Sequence, residues 1–208
     1  HVPIKLQNDC TAGALGEWAY GAGRGLRNIV YVTLSTGLGG GAIVDGHLLI
    51  GKDGNAHEIG HLTIDPRSEL TCGCKCRGHW EAYSSGANIP NYARLLLRDW
   101  NVEKSQDRAW RDLENITTEF IFTEASKGDH VARWIIDKIG DVNAIGFADI
   151  VNVYDPELIT VGGSVALNNP DLILRPIEER IERHLINRRP EIKITPLEED
   201  VVLYGALA

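Results

Sequence analysis

Three cysteines spaced one residue apart constrain the fold of this chain more than any other feature. The stretch LTCGCKCRGHWEAYS places Cys72, Cys74 and Cys76 just before His79. Such close cysteines cannot readily form disulfides with one another, whereas thiolate and imidazole together suit a tetrahedral zinc ion. With the upstream His61, the sequence offers five candidate ligands for four places. It therefore predicts a loop that folds around a structural metal ion.

The composition and charge indicate a globular protein whose main partner is neither nucleic acid nor a membrane. Hydrophobic residues make up 43% of the 208 residues, which is ordinary for a chain with a packed core. The formal net charge of −8 disfavours binding to polyanions. No apolar run approaches the ~20 residues of a transmembrane helix, and no leader is evident. Because clustered, unpaired cysteines suit a reducing compartment, we expect a cytoplasmic protein.

Hydrophobic periodicity predicts a layered α/β domain. A helix capped by Asp9 precedes a β-branched strand over 28–35 and a hairpin around Asp45-Gly46. Further along, the patterns predict a short strand at 61–65, helical sequence over 79–100 with a break at Ile89-Pro90, two helices separated by Gly128 within 118–156, a strand at 157–165, an amphipathic helix over 172–185, an edge strand at 191–196 and a final helix from 201. The polar stretch 102–114 predicts a mobile surface segment.

Two glycine-rich turns each follow a predicted strand. The first reads STGLGGG over 35–41, and the second reads VGGS over 161–164. Glycine lets backbone N–H groups approach phosphate oxygens, so the pair can hold the two ends of a nucleotide, although either turn alone is a weak signal. A carboxylate at a helix start, as at Asp9, is usually a plain cap but can also accept a proton.

The segment HEIGH over 57–61 matches the H-E-x-x-H pattern of zinc proteases. That chemistry needs His57 and His61 one helical turn apart, with Glu58 as the base. Gly60 lies inside the motif and β-branched residues follow it, so a helix is disfavoured there. A zinc protease is therefore the least favoured alternative.

Taken in this order, the motifs resemble the ROK family of sugar kinases and their repressor relatives. The resemblance lies in the glycine signature at 34–61, the cysteine loop at 72–81, the aspartate segment at 8–17 and the late glycine turn at 157–165. It spans nearly the whole chain. It implies an actin-like, ribonuclease H-like ATPase fold, in which residues 1–208 are the large lobe and 61–81 form a zinc loop.

The resemblance implies ATP-dependent phosphorylation of a hexose, with the 6-hydroxyl of glucose as the expected acceptor; the sequence itself does not separate glucose from fructose, mannose or N-acetylmannosamine. Asp9 would be the general base, and Mg²⁺ would neutralise charge on ATP. The implied sugar contacts are Asn8, Asp9, Glu58, His61 and Glu81, and the implied nucleotide contacts are Thr36, Gly37, Gly162, Gly163 and Ser164. His61 would use one ring nitrogen for zinc and the other for the sugar. The family also suggests a dimer or tetramer.

Three features depart from the family pattern. His79 stands where the family usually has cysteine, so the implied zinc ligands are His61, Cys72, Cys74 and His79, with Cys76 as an alternate. His57 stands where glycine is usual.

The third departure concerns what lies upstream. The chain opens on His1 and contains no Met, so we expect it to be part of a longer product. The family's first phosphate loop, which contacts Mg²⁺, would precede His1, and residues 1–208 alone are expected to be inactive. The alternative, a sugar-sensing transcriptional repressor, would instead need an upstream helix-turn-helix.

Overall fold

The central element of the fold is a mixed β-sheet. A computed structural model describes residues 6–99, 110 and 112–208. In these ranges one sheet of five strands has the order β3-β2-β1-β4-β5, formed by β1 (Ile29–Leu34), β2 (Leu38–Val44), β3 (His47–Leu48), β4 (Leu158–Gly162) and β5 (Glu191–Ile194). Strand β1 pairs antiparallel with β2 and parallel with β4.

Helices cover both faces of this sheet. They are α1 (Asp9–Ala19), α2 (Glu81–Ser84), α3 (Ile89–Asp99), α4 (Thr118–Lys127), α5 (His130–Tyr154), α6 (Ser164–Asn168), α7 (Pro170–Arg180) and α8 (Val201–Leu207). Alternate side chains of β1 pack on opposite faces of the sheet, as expected for a strand. Val30 and Val32 join the main core, while Tyr31 packs with Ala14 of α1 and Val201 of α8. No helix in the described ranges is long and apolar enough to span a bilayer.

Glycines in β2 let α1 lie unusually close to the sheet. A Cβ at Gly39 would lie 2.7 Å from the Sγ atom of Cys10, and a Cβ at Gly41 would lie 2.5 Å from the carbonyl oxygen of Cys10. The glycine run was expected to be a turn, but Gly39, Gly40 and Gly41 belong to β2. Their shared role is close packing, and the turn itself is confined to residues 35–37.

Several predicted elements are confirmed. The hairpin turn forms at Asp45 (φ 52°) and Gly46 (φ 77°), where both residues adopt left-handed φ angles. Gly128 ends α4 with φ 95°, and α5 follows it. The amphipathic stretch forms α7 and then a 3₁₀ turn, Ile181–His184.

Other predictions are corrected. Asn8, rather than Asp9, caps α1, because its Oδ1 accepts from the backbone N–H groups of Cys10 (2.9 Å) and Thr11 (3.2 Å). The strand expected at 61–65 is only an isolated bridge between Thr63 and His79. Pro90 lies in the first turn of α3, where its missing N–H is tolerated. Most of the surface segment predicted at 102–114 lies outside the described residues.

Candidate active site and metal centre

Four side chains of the cysteine loop and its surroundings converge on one point. The ligand atoms of His61, Cys72, Cys74 and His79 all lie within 4.8 Å of one another. The two sulfur atoms are 3.1 Å apart, the two Nδ1 atoms are 3.2 Å apart, and the Sγ of Cys72 lies 3.6 Å and 3.4 Å from the Nδ1 atoms of His61 and His79. Zinc bond lengths of about 2.3 Å to sulfur and about 2.0 Å to nitrogen place tetrahedral ligands about 3.3–3.8 Å apart. The residues present therefore fit a zinc ion.

The loop backbone explains this convergence. Lys75 has φ 68° and donates its N–H to the carbonyl of Cys72 (2.9 Å), which closes a tight turn between the two ligand cysteines. Gly78 has φ 70° and passes so close to Asp65 that a Cβ would collide with its carbonyl oxygen. Cys76 lies outside the converging group although it shares the loop.

Two of these ligands have shifted pKa values that bear on metal binding. Burial is the main cause that raises the pKa of the Cys72 thiol to about 11, so its thiolate needs a nearby positive charge. Burial, followed by the neighbouring His61, lowers the pKa of His79, which keeps that imidazole neutral and able to bind a metal.

The acidic residues predicted to bind sugar lie beside the metal group. The Nδ1 atom of His61 faces the cysteines, while its Nε2 lies 3.7 Å from Oε2 of Glu58. Glu81 begins α2, and its Oε2 accepts weakly from the N–H of Leu38 at 3.4 Å. A Cβ at Gly37 would lie 3.3 Å from the same oxygen. Glu81 thus stands between the metal loop and the first glycine turn.

Asp9 lies at the start of α1, at the same edge of the sheet. Its Oδ1 accepts from the N–H of Cys10 at 2.8 Å, which orients the carboxylate. Burial, then the charge of Asp9 and also that of Glu58 raise the pKa of the Cys10 thiol to about 12. Asp9 and Glu58 are therefore both close enough to Cys10 to influence its thiol.

The two glycine turns lie side by side because β1 and β4 run parallel. Thr33 of β1 is opposite Gly162 of β4, so the turns that follow these two strands lie at the same edge of the sheet. The Oγ atoms of Ser35 and Ser164 are 3.2 Å apart. Gly163 has φ 85°, and a Cβ there would lie 2.5 Å from the carbonyl oxygen of Leu34. Only glycine fits this turn.

A cavity of about 600 Å³ opens at these turns. Among the predicted nucleotide contacts, Thr36 and Ser164 line it, whereas Gly37, Gly162 and Gly163 do not. Sequence reasoning missed most of its wall, which includes Gly86, Ala87, Thr118, Phe122, Asn168 and Asn169.

Backbone contacts tie this missed wall to the first turn. The N–H of Gly86 donates to the carbonyl of Ser35 (2.6 Å), and Thr118 donates its hydroxyl to the carbonyl of Gly86 (2.6 Å). The only local signal for these residues was the threonine pair that begins α4, where Thr117 caps the helix.

The zinc protease alternative is wrong. The segment 57–61 contains only a 3₁₀ turn, Ile59–His61, and His57 has φ 70°, which a helix cannot contain. The Nε2 atom of His57 lies 2.7 Å from the carbonyl oxygen of Leu49. His57 is absent from the group of converging metal ligands.

Paired glycine turns at the ends of parallel strands, a cavity beside them and flanking carboxylates define an α/β domain of the actin-like ATPase class. The sequence profile of the ROK family matches residues 1–207, and the chain therefore belongs to this family.

Known relatives agree with this assignment. A glucokinase from Pyrobaculum calidifontis is 40% identical over 206 residues, which cover 99% of this chain and 64% of that relative. A xylose repressor from Caldicellulosiruptor bescii is 29% identical, with 100% of this chain and 52% of that relative covered. This chain thus spans less than two thirds of the length of either protein.

A solved structure confirms the expected fold. The crystal structure of a ROK family glucokinase from Streptomyces griseus, in complex with glucose and AMPPNP, matches with a TM-score of 0.82 at 31% identity. The match covers 99% of this chain and 67% of that chain.

Proposed function

We propose that this chain takes part in the ATP-dependent phosphorylation of a hexose, with the 6-hydroxyl of glucose as the favoured acceptor. One observation carries the proposal: the carboxylates of Asp9, Glu58 and Glu81 lie at the sheet edge that also holds the Ser35 and Ser164 turns. The likeness to the Pyrobaculum glucokinase and to the structure with glucose and AMPPNP supports it.

In the proposed reaction, Asp9 accepts the proton of the sugar hydroxyl. The freed oxygen attacks the γ-phosphorus of ATP in line, the bond from that phosphorus to the β–γ bridging oxygen breaks, and ADP leaves. The N–H of Cys10 holds the Asp9 carboxylate in a fixed direction for this transfer. Mg²⁺ would enter with ATP, and we assign it no ligand among the described residues.

We assign hexose recognition to Asn8, Glu58, His61 and Glu81. Carboxylates suit this role because each can accept from two neighbouring hydroxyls. Asn8 uses its carbonyl oxygen to cap α1, so its amide nitrogen is the group left for the sugar. A zinc ion on His61, Cys72, Cys74 and His79 would hold the loop that orients His61 and Glu81.

We assign nucleotide binding to the cavity beside the two glycine turns. Thr36 and Ser164 would face the phosphates, while the wall from α4 would face the rest of the nucleotide. We further propose that residues 1–208 form the large lobe and that the first phosphate loop lies upstream. A dimer or tetramer in the cytoplasm is the expected state of the whole protein.

A phosphotransfer panel on the purified full-length protein tests the proposal. ATP is combined with glucose, mannose, fructose or N-acetylmannosamine, and product is measured for the wild type and for Asp9→Asn. We expect one hexose to be phosphorylated, and Asp9→Asn to lower kcat by about 10²–10⁴-fold. Asp53→Asn, an exposed aspartate paired with Lys52, is the matched control and should keep full activity.

The same panel separates the kinase from a repressor. The xylose repressor relative makes sugar sensing the second candidate. Tight hexose binding without turnover would favour the repressor, and absence of both binding and turnover would reject both candidates.

A further inference from the structure

His57 has a backbone conformation that few residues other than glycine adopt. Its φ of 70° lies in the left-handed region, which is disfavoured for any residue with a Cβ. The side chain is nevertheless buried. A strained, buried residue directly before the proposed sugar ligand Glu58 calls for a compensating set of contacts.

The imidazole of His57 supplies two such contacts. The carbonyl oxygen of Leu49 can only accept, so the Nε2 atom at 2.7 Å carries the hydrogen and donates it. Burial lowers the pKa of His57, so the ring is neutral near pH 7. The Nδ1 atom is then an acceptor for the hydroxyl of Tyr154, 3.4 Å away. The two rings also pack, with centroids 5.7 Å apart.

The two partners lie in or directly beside regular secondary structure. Leu49 extends the hairpin, since its N–H donates to the carbonyl of Ala42 at 3.0 Å. Tyr154 is the last residue of α5, the 25-residue helix. His57 therefore joins the loop to the sheet edge and to the end of the longest described helix.

The other end of the segment is fixed independently. Ile59 is buried, and Gly60 lies so close to β2 that a Cβ would collide with the carbonyl oxygen of Leu38. Glu58 lies between these two fixed points, and its side chain remains 55% exposed. The backbone of Glu58 is thus fixed on both sides, while its carboxylate is open to solvent. Such a carboxylate is well placed to bind a ligand in a defined direction.

We propose that His57 is a positioning residue for the hexose: its bonds to Leu49 and Tyr154 fix the backbone of Glu58 and, through it, the direction of the Glu58 side chain. This inference rests on the proposed hexose-binding function. It predicts that loss of the His57 contacts weakens hexose binding and leaves nucleotide binding unchanged, because neither His57 nor Glu58 lines the 600 Å³ cavity.

The test measures glucose affinity and AMPPNP affinity separately by calorimetry on the full-length protein. The variants are His57→Ala, His57→Asn and Tyr154→Phe. Asn tolerates left-handed φ and offers an amide donor, so it should retain part of the function. Tyr20→Phe, which loses a hydroxyl bonded to Leu207, is the matched control.

We expect His57→Ala to weaken glucose binding about 10-fold and Tyr154→Phe about 3-fold, in line with the cost of a loosened supporting shell. AMPPNP affinity and zinc content should stay at the wild-type values, and Tyr20→Phe should bind glucose normally. Tyr154→Phe keeps the ring packing, so it reports on the hydrogen bond even if His57→Ala fails to fold.

Two outcomes would overturn the inference, and they are distinguishable. Wild-type glucose affinity in Tyr154→Phe, and in His57→Ala where that variant folds, would reject His57 as a positioning residue while leaving the proposed function intact. Absence of hexose binding in the wild type itself would reject the proposed function, and the role of His57 with it.

Discussion

Gly41→Ala tests whether the close approach of α1 to the sheet places Asp9. A Cβ at position 41 would lie 2.5 Å from the carbonyl oxygen of Cys10 and 2.8 Å from the Cβ of Ala14. Because carbon–oxygen contacts settle at about 3.3 Å, α1 must retreat from β2 by about 0.8 Å. That shift carries Asp9 with it, since Asp9 is the first residue of the helix.

The expected loss is larger in catalysis than in stability. A displacement near 1 Å at a reacting group costs about 10²-fold in rate, whereas overpacking a core contact costs about 1–3 kcal/mol of folding free energy. We therefore expect kcat with glucose and ATP to fall about 100-fold in the full-length protein. The nucleotide affinity should not change, because no residue of α1 lines the cavity beside the two glycine turns.

Gly46→Ala is the control for a general loss of stability. Its φ of 77° makes alanine strained, at a cost of about 1–2 kcal/mol, but nothing lies within 4 Å of the added Cβ. Urea unfolding of both variants gives their stabilities, and steady-state kinetics gives kcat. If Gly41→Ala loses stability as Gly46→Ala does and keeps the wild-type kcat, the close approach of α1 does not position the base.

Three further predictions concern the metal loop, the partly buried Cys10 thiol and the buried Glu17. Cys72→Ser should abolish stoichiometric zinc binding and lower Tm, whereas Cys76→Ser should keep the wild-type zinc content and Tm. Elemental analysis measures the zinc and calorimetry measures Tm, and equal zinc loss in the two variants would reject the ligand set. The pKa of the Cys10 thiol is raised to about 12, so at pH 8 this thiol should be alkylated about 10³-fold more slowly than a free cysteine. Mass spectrometry follows the alkylation, and modification as fast as that of Cys76 would contradict the prediction. Burial raises the pKa of Glu17 above 4.5, so the folded protein binds that proton more tightly than the unfolded chain. The difference in the free energy of unfolding, wild type minus Glu17→Gln, should therefore fall as pH rises from 4.5 through the raised pKa. Urea titrations measure this difference, and a constant value from pH 4.5 to 8 would disprove the prediction.

The local elements were predictable because their signals are local. The Asp45-Gly46 pair predicts a hairpin since both positions need left-handed φ, and Gly128 predicts a helix end for the same reason. The metal loop was also predictable, because the structure brings together His61, Cys72, Cys74 and His79 as the sequence indicated.

The remaining features depend on contacts between distant segments. The β-branched run at 61–65 predicts a strand, but Ile64 and Asp65 both donate to the carbonyl of Gly78 in the metal loop, which leaves no room for a regular partner strand. The sequence does not predict the cavity wall from α4, because Thr118 and Gly86 are 32 residues apart. No periodic pattern in the sequence indicates their contact.

The arrangement of the site favours catalysis over sensing. The proposed sugar side contains Glu58, His61 and the metal loop, while the proposed nucleotide side contains Ser35, Ser164 and the α4 wall. The two sides meet where Glu81 lies against Gly37 and Leu38. A sensor needs only the sugar side, and its sequence is then free to lose the strained Gly163 turn and the Ser35 and Ser164 contact. This chain keeps both, together with the proposed base Asp9, which is the combination that phosphoryl transfer requires and sugar sensing does not.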